Sequence, residues 1–443
     1  MRAVGFRRVL GPFDATMVVI GGIIGAGIFI NPYLTAQRLD TPVQVLLAWV
    51  VGGAVALAGA FAYAELGQRM PRAGGQYVYL RDAWHPVAGF LYGWALLLLI
   101  ETGAIAAVAI VFAEYTLRLV GSSSGPQPLA VATIVVLSAI NYVGVKPGSR
   151  VLNVCVLLKA AALAALVLFA WLTPPAEGWF TVGRADADPS GLVAFGAALI
   201  PVLFAYGGWQ SANYVAEEMR DPERHLPGAL VAGTLAVVVI YVSVNVAYLQ
   251  TLGLEGLAGT TTPAAATAAA YLGASGERFV AGAIAISTFG FLNLSILAPT
   301  RVYYAMAADG AFAPALARLH PRFGTPAVAI VVQSAWSIAL AVTGNYADLL
   351  DTVVFADWIF FGSTVAGLFV LRRRLGPPAG FRTPGYPWLP AGFVLVAAVV
   401  VVSTIRAAPL RSAVGAALLL LGVPVYLLFT RQARRAAAAG PPP

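Results

Sequence analysis

The sequence predicts an all-α polytopic membrane protein. Three features carry that prediction: an apolar composition, twelve apolar runs of membrane length, and charges gathered in the short stretches between them. Of 443 residues, 60% are apolar and 10% charged, against roughly 45–50% and roughly 25% in soluble domains. A hydrocarbon core about 30 Å thick takes about 20 helical residues, so twelve crossings use about 240 residues and leave about 200 for connections and extensions. Polar gaps this short exclude a separate soluble catalytic module.

The runs fall near 14–36, 43–66, 87–117, 128–145, 151–172 and 192–216, then near 228–252, 277–307, 326–343, 348–371, 388–406 and 411–430. The third and eighth exceed one crossing and are expected to tilt or to extend beyond the bilayer. An even number of spans puts both termini on one side, and the positive-inside rule makes that side cytoplasmic. Twenty of the 27 Lys and Arg residues fall there. Arg38, Arg118, Arg184, Arg278, Arg406 and Arg411 fall opposite, and Lys159 lies within a span. The net charge of +8 therefore reads as orientation and not as affinity for a polyanion. The first run continues through Asn31 and Pro32 into further spans, unlike a cleaved signal peptide. The one cysteine, Cys155, lies inside a run, and His85, His225 and His320 lie in separate loops, so no intrachain disulfide, metal centre or cofactor is expected. Tyr77, Leu80 and Trp84 recur at helical spacing and suggest an interfacial helix. Asp14 and Arg372 to Arg374 read as ordinary flanking charges, and the tail 436–443 as disordered.

Two runs carry clustered glycines: GGIIGAGIF in the first and FAYGGW in the sixth. They stand five spans apart, and an odd five-span unit reappears upside down in the membrane. That is the mark of an inverted repeat whose discontinuous helices meet near the midplane. Helix packing of the GxxxG type, through Gly21 and Gly25, is the competing reading for either cluster alone. An unwound stretch inside hydrocarbon needs polar partners for its backbone. The amides of Gly25, Ala26 and Gly27, at the positive end of a half-helix, suit a carboxylate. The carbonyls of Ile23, Phe204, Ala205 and Gly207 suit an ammonium, so a zwitterionic α-amino acid matches both ends.

GGIIGAGIF, FAYGGWQSANYVAEEMRDPERHLP (204–227), STFGFLNLSILAPTRVYYAMAADG (287–310) and ELGQRMPRAGGQYVYLRDAW (65–84) together resemble the L-type amino-acid transporter branch of the amino acid, polyamine and organocation superfamily. The resemblance covers spans one to ten; the last two match in number and length. It implies one LeuT-like transporter domain over 1–443, with five-helix repeats at 14–172 and 192–371 and accessory helices over 388–430. It also implies alternating access, with substrate held by Ile23, Ile24, Gly25, Ala26, Gly27, Phe204, Ala205, Gly207 and Gln210. Phe204 would be the aromatic gate. Gln210, where relatives often carry Asn, is either a pocket contact or a helix–helix hydrogen bond. The resemblance places Lys159, with Ser287 and Thr288, where sodium-coupled members of the fold hold the ion, which implies sodium independence. Eukaryotic relatives often join a heavy chain through a cysteine between spans three and four; the loop GSSSGPQP (121–128) has none. A monomer in a prokaryotic inner membrane is expected, with no disulfide-linked partner and no nucleic acid.

Ionisable groups inside spans are functional candidates by default. Lys159 is one, with snorkelling toward the cytoplasm as its competing reading. Glu101, in LLIETGAIAAVA, is the other: a candidate proton acceptor, or a hydrogen-bonded carboxyl that only ties helices together. The predicted pocket otherwise shows no acidic residue, which ranks neutral amino acids first. The expected function is sodium-independent exchange of neutral L-amino acids. A proton-coupled symporter using Glu101, with cationic amino acids or polyamines as wider substrates, is the alternative. An intramembrane enzyme would need an acid pair, a metal cluster or a nucleophile with its base, and the scattered Lys159 and Glu101 supply none. Glu217, Glu218, Arg220, Asp221, Glu223 and Arg224 read as a solvated loop, with gate ion pairs as the alternative.

Overall fold

A computed structural model describes residues 6–180, 191–343 and 346–438. Arg2 and Arg184, counted above for orientation, and tail residues 439–443 lie outside the described residues. The last helix, Pro409–Ala438, takes in 436–438, so that part of the expected tail is helical. Among the described residues the regular structure is helical, with one isolated β-bridge between Leu10 and Met219. Seven helices are long and apolar enough to cross a membrane: Pro42–Arg69, Pro86–Leu119, Val145–Trp171, Pro222–Ala258, Ala274–Ala308, Trp388–Arg406 and Pro409–Gln432. Pro12–Ile23, Gln127–Val143, Val193–Ala205 and Ala327–Thr343 are shorter apolar helices, and Tyr346–Leu375 lies on the tenth predicted run. Leu157, Leu395 and Leu420 face outward while Thr102, Asn141, Lys159, Asn293 and Gln333 are buried. That is the arrangement hydrocarbon favours and water penalises.

Pro12 opens the first helix at a position where its missing N–H costs nothing. Asp14 accepts from the Gly11 N–H at 2.9 Å and from the Asn153 side chain at 2.7 Å. It is a helix cap and an interhelical tie, more than a flanking charge. The helix stops at Ile23 and Ile24 turns extended, with φ −77° and ψ 92°. The chain resumes as Gly27–Ile30 and Pro32–Arg38. The sixth run likewise ends as a helix at Ala205 and resumes as Ser211–Tyr214. Pro201, inside that helix, cannot donate to the Ala197 carbonyl. Arg38 Nη1 does so instead at 2.5 Å, and Asn31 Nδ2 donates to the Pro201 carbonyl at 2.8 Å. The outer half of the first run thus holds the sixth at its proline.

The two breaks meet backbone to backbone. A Cβ on Gly208 would lie 2.1 Å from the Gly22 carbonyl oxygen, and one on Gly22 would lie 2.5 Å from that of Gly208. Gly208 also has φ +106°, which a side chain would strain. The glycines thus permit the contact sterically as well as conformationally.

Three other features depart from expectation or refine it. The third run contains a π-helical turn, Leu96–Ile100, just before Glu101, a widening common at functional positions. The helix Gln76–Ala83 is buried along most of its length, with Asp82 exposed in its last turn and Trp84 exposed beyond it. It is a packed element and not an interfacial one, because Tyr77 donates to Asp309 at 2.8 Å and Tyr79 to Asn213 at 2.9 Å. Arg372 is no simple flanking charge either: with Arg69 and the Thr383 N–H it neutralises the fully buried Glu65, at 2.5 to 3.0 Å.

Gly208→Ala combines a disfavoured backbone with overpacking and is expected to cost roughly 2–5 kcal/mol. Gly282, on a helix where an added Cβ would meet nothing within 4 Å, is the matched control. Thermal denaturation in detergent should show a clear drop for Gly208→Ala and a near-wild-type midpoint for Gly282→Ala; equal midpoints would contradict the packing described.

Candidate substrate site

Ile23, Gly25, Ala26, Gly27, Phe204, Ala205, Gly207, Gln210 and Glu101, far apart in sequence, line a single cavity between the two breaks and the helices Glu101–Leu119, Ala274–Leu297 and Tyr346–Leu375. Ile24 does not line it: the residue is buried, and its carbonyl turns to the other side of the break. There Lys159 Nζ donates to the Ile24 carbonyl and, at 3.2 Å, to that of Gly21. Ser287 donates to the carbonyls of Ile24 at 3.3 Å and Gly25 at 3.1 Å. Lys159 is fully buried and does not snorkel. Its ammonium caps the carbonyl end of the first helix, where a cation is favoured. Thr288 stays out of this cluster, because its hydroxyl bonds back to Ile284 and Ala285 on its own helix.

The freed backbone groups divide into partnered and unpartnered sets. Gly25 N–H donates to the Ile23 carbonyl at 2.9 Å, and Gly207 N–H to that of Phe204 at 3.1 Å. Tyr241 reaches the carbonyls of Ile23 at 3.1 Å and Ala205 at 3.3 Å, tying both breaks to one hydroxyl. One O–H carries one proton, so it satisfies one of the two at a time. Tyr248 donates to the Ile28 carbonyl at 3.2 Å. Among the described residues, no acceptor meets the N–H groups of Ala26, Gly27 and Ile28. Three consecutive free amides at the start of a half-helix make an anion-binding edge. Gly25 N–H is engaged within the break, and of the three free amides those of Ala26 and Gly27 belong to cavity-lining residues while Ile28 does not line the cavity. Gly27 also sits where a Cβ would press on Ala205 at 2.9 Å, so the glycine keeps the second half-helix against the sixth.

Sequence reasoning missed Asp357. It lies on Tyr346–Leu375 and lines the same cavity as Glu101. The pocket therefore carries two acidic residues, not one. The signal is present in the sequence: TVVFADWIFFG places an ionisable side chain inside an apolar run, the same mark that singles out Lys159 and Glu101. Gln210 is 7% exposed and lines the cavity, and among the described residues its Oε1 has no hydrogen-bond partner.

On the side of residues 6–10 the chain is pinned. Val9 and Leu10 donate to the Glu218 carbonyl at 2.8 and 3.0 Å, and Arg220 donates to that of Leu10 at 2.9 Å. Glu217 accepts from the Ala73 N–H at 3.0 Å. Glu218 is 2% exposed and pairs with Arg301 through both carboxylate oxygens, at 3.0 and 3.2 Å. Burial pushes the Glu218 carboxyl up, against the pull of the guanidinium beside it. The solvated-loop reading is corrected for Glu218, which turns inward to pair with the buried Arg301, and Glu217 is half-buried, while Arg220, Asp221, Glu223 and Arg224 are exposed.

The chain matches the amino acid permease family over residues 10–429. It is 31% identical over 427 residues to the serine/threonine exchanger SteT of Bacillus subtilis (strain 168), covering 95% of this chain and 97% of that protein. Its identity to the human large neutral amino acids transporter small subunit 2 is 30% over 443 residues, covering 96% of this chain and 81% of that one. To the human Asc-type amino acid transporter 1 it is 29% over 440 residues, covering 96% and 83%.

Removing one member of the buried ion pair strands the other. Arg301→Leu and Glu218→Leu are each expected to destabilise by about 3–5 kcal/mol, and the double substitution by much less than their sum. Chemical denaturation of the two single variants and the double variant in detergent measures this; additive losses would contradict a coupled buried pair.

Proposed function

The chain belongs to the amino acid permease family, and from that premise we propose that it is a sodium-independent exchanger of neutral L-amino acids. It works as a monomer in a prokaryotic plasma membrane, with both termini cytoplasmic and no disulfide-linked heavy chain. The family and the relatives, all named as transporters or exchangers, support transport over catalysis. Twelve spans in two inverted repeats, 14–172 and 192–371, followed by two accessory helices over 388–430, fit the order of apolar helices.

The observation that carries this reading is the pairing of opposite backbone polarities in one cavity. The free amides of Ala26 and Gly27, both on the cavity wall, suit the substrate carboxylate. The Ile23, Phe204, Ala205 and Gly207 carbonyls suit its ammonium, with Tyr241 giving up whichever of Ile23 and Ala205 the substrate takes. Recognition by main chain selects the α-amino acid unit and leaves the side chain to the rest of the pocket. Phe204 acts as the gate in this reading, which its position on the cavity wall near the end of the sixth helix supports. The relatives' names point to neutral side chains.

Lys159 supports sodium independence. Its ammonium, with the Ser287 hydroxyl, occupies the Gly21, Ile24 and Gly25 carbonyls. A fixed cation there supplies the charge that a bound ion would otherwise bring.

Purified protein in liposomes preloaded with L-serine or L-leucine should take up the labelled amino acid several-fold faster than empty liposomes, and equally in sodium and in choline buffer. Uptake that ignores the internal amino acid would overturn exchange, and uptake that needs sodium would overturn the role of Lys159. Lys159→Ala forfeits charged hydrogen bonds worth about 1.5–3 kcal/mol and is expected to lower the exchange rate by about tenfold or more. Unchanged kinetics would remove Lys159 from the coupling site.

A further inference from the structure

We propose that a basic cavity at the start of the helix Val145–Trp171 binds the phosphate of an anionic phospholipid, whose acyl chains lie along the outward face of that helix. The site shares no residue with the substrate cavity and does not depend on what is transported.

The cavity, of about 200 Å³, forms where three segments meet. Arg7 comes from the chain before the first helix, Lys146 from the first turn of Val145–Trp171, and Arg322 from the loop that leads to Ala327–Thr343. Arg7 Nη2 donates to the Arg322 carbonyl at 3.2 Å, and the Arg322 guanidinium stands 5.5 Å from the centre of the Phe323 ring. Among the described residues none of these three cations pairs with a carboxylate, whereas Arg69, Arg81, Arg301 and Arg372 all do. Glu218, the one acid among the described residues on the cavity wall, is already held by Arg301 through both oxygens. Three like charges gathered at one cavity repel one another, and an anion between them replaces that repulsion with attraction. The N–H groups of Val145 and Lys146 meet no acceptor among the described residues, so the positive end of a 27-residue helix adds to the same field.

The outward face of the same helix identifies the carrier of the anion. Lys146, Arg150, Val154, Leu157 and Leu158 recur at helical spacing and are all exposed, so they form one outward stripe. The stripe is basic at its start and apolar about 12–18 Å further along. A soluble anion uses only the basic end. A phospholipid uses both, with its phosphate at Lys146 and its chains against Val154, Leu157 and Leu158. Basic pockets at the ends of membrane helices take anionic head groups for the same reason.

The test is lipid binding to the purified full chain in neutral detergent, with fluorescent phosphatidylglycerol and phosphatidylcholine as probes and inorganic phosphate as competitor. Arg7→Gln, Lys146→Gln and Arg322→Gln each remove one cation, and Arg373→Gln, exposed and off the cavity, is the control. The expected result is saturable binding of phosphatidylglycerol and much weaker binding of phosphatidylcholine. Each cavity variant should raise the Kd for phosphatidylglycerol about fivefold, the equivalent of about 1 kcal/mol per basic residue near anionic head groups, and the control should leave it unchanged. Equal binding of the two lipids, or a Kd that Arg373→Gln shifts as much as the cavity variants do, overturns the site. Displacement of phosphatidylglycerol by an equal concentration of inorganic phosphate overturns the lipid assignment and makes the cavity a site for free phosphate.

Discussion

The structure depends on one contact, the approach of the Gly22 and Gly208 backbones at the centre of the bundle. A Cβ on either residue would sit 2.1 to 2.5 Å from the opposite carbonyl oxygen. The backbones can come this close because neither residue carries a side chain: Gly22 is in the last turn of the first helix and Gly208 lies in the break after Ala205. The contact thus fixes where the first and sixth runs break, and the breaks fix where polar backbone is exposed inside an apolar bundle. The rest of the core is arranged to deal with that exposure.

Much of it is absorbed locally. Tyr241 and Tyr248 descend from the long helix Pro222–Ala258 to cover the carbonyls of Ile23, Ala205 and Ile28. Lys159 and Ser287 take those of Gly21, Ile24 and Gly25, and Asn31 and Arg38 repair the sixth helix at Pro201. What this leaves faces one cavity: the free amides of Ala26 and Gly27, with the side chains of Glu101, Asp357 and Gln210 on the same wall. Unmatched polar groups are expensive in a membrane interior and persist where a ligand completes them. The buried ion pairs of Glu65 and Glu218 lie away from this cavity and tie neighbouring segments together, so the polar core divides into parts that hold and parts that bind.

The sequence carries the broken helices and the part of the cavity wall they supply, because glycine clusters and membrane-length runs are local signals. Ile23, Gly25, Ala26, Gly27, Phe204, Ala205, Gly207, Gln210 and Glu101 all reach one shared cavity. What is not legible depends on long-range pairing. Tyr241 meets Ile23 across 218 residues and Arg301 meets Glu218 across 83, and no local pattern announces either. Ile24 and Thr288 show a finer limit: the segment is legible, but which way a carbonyl or hydroxyl turns is decided by neighbours such as Lys159. Asp357 differs from both, since its charge inside an apolar run is visible and only its position on the cavity wall requires the fold.

The most direct measurement of the central claim is a structure of the protein with an exchanged amino acid bound. The account predicts the ligand carboxylate within about 2.7–3.2 Å of the Ala26 and Gly27 nitrogens, and its ammonium on carbonyls of the two breaks. A carboxylate held by side chains elsewhere, with the Ala26, Gly27 and Ile28 amides left empty, would contradict it.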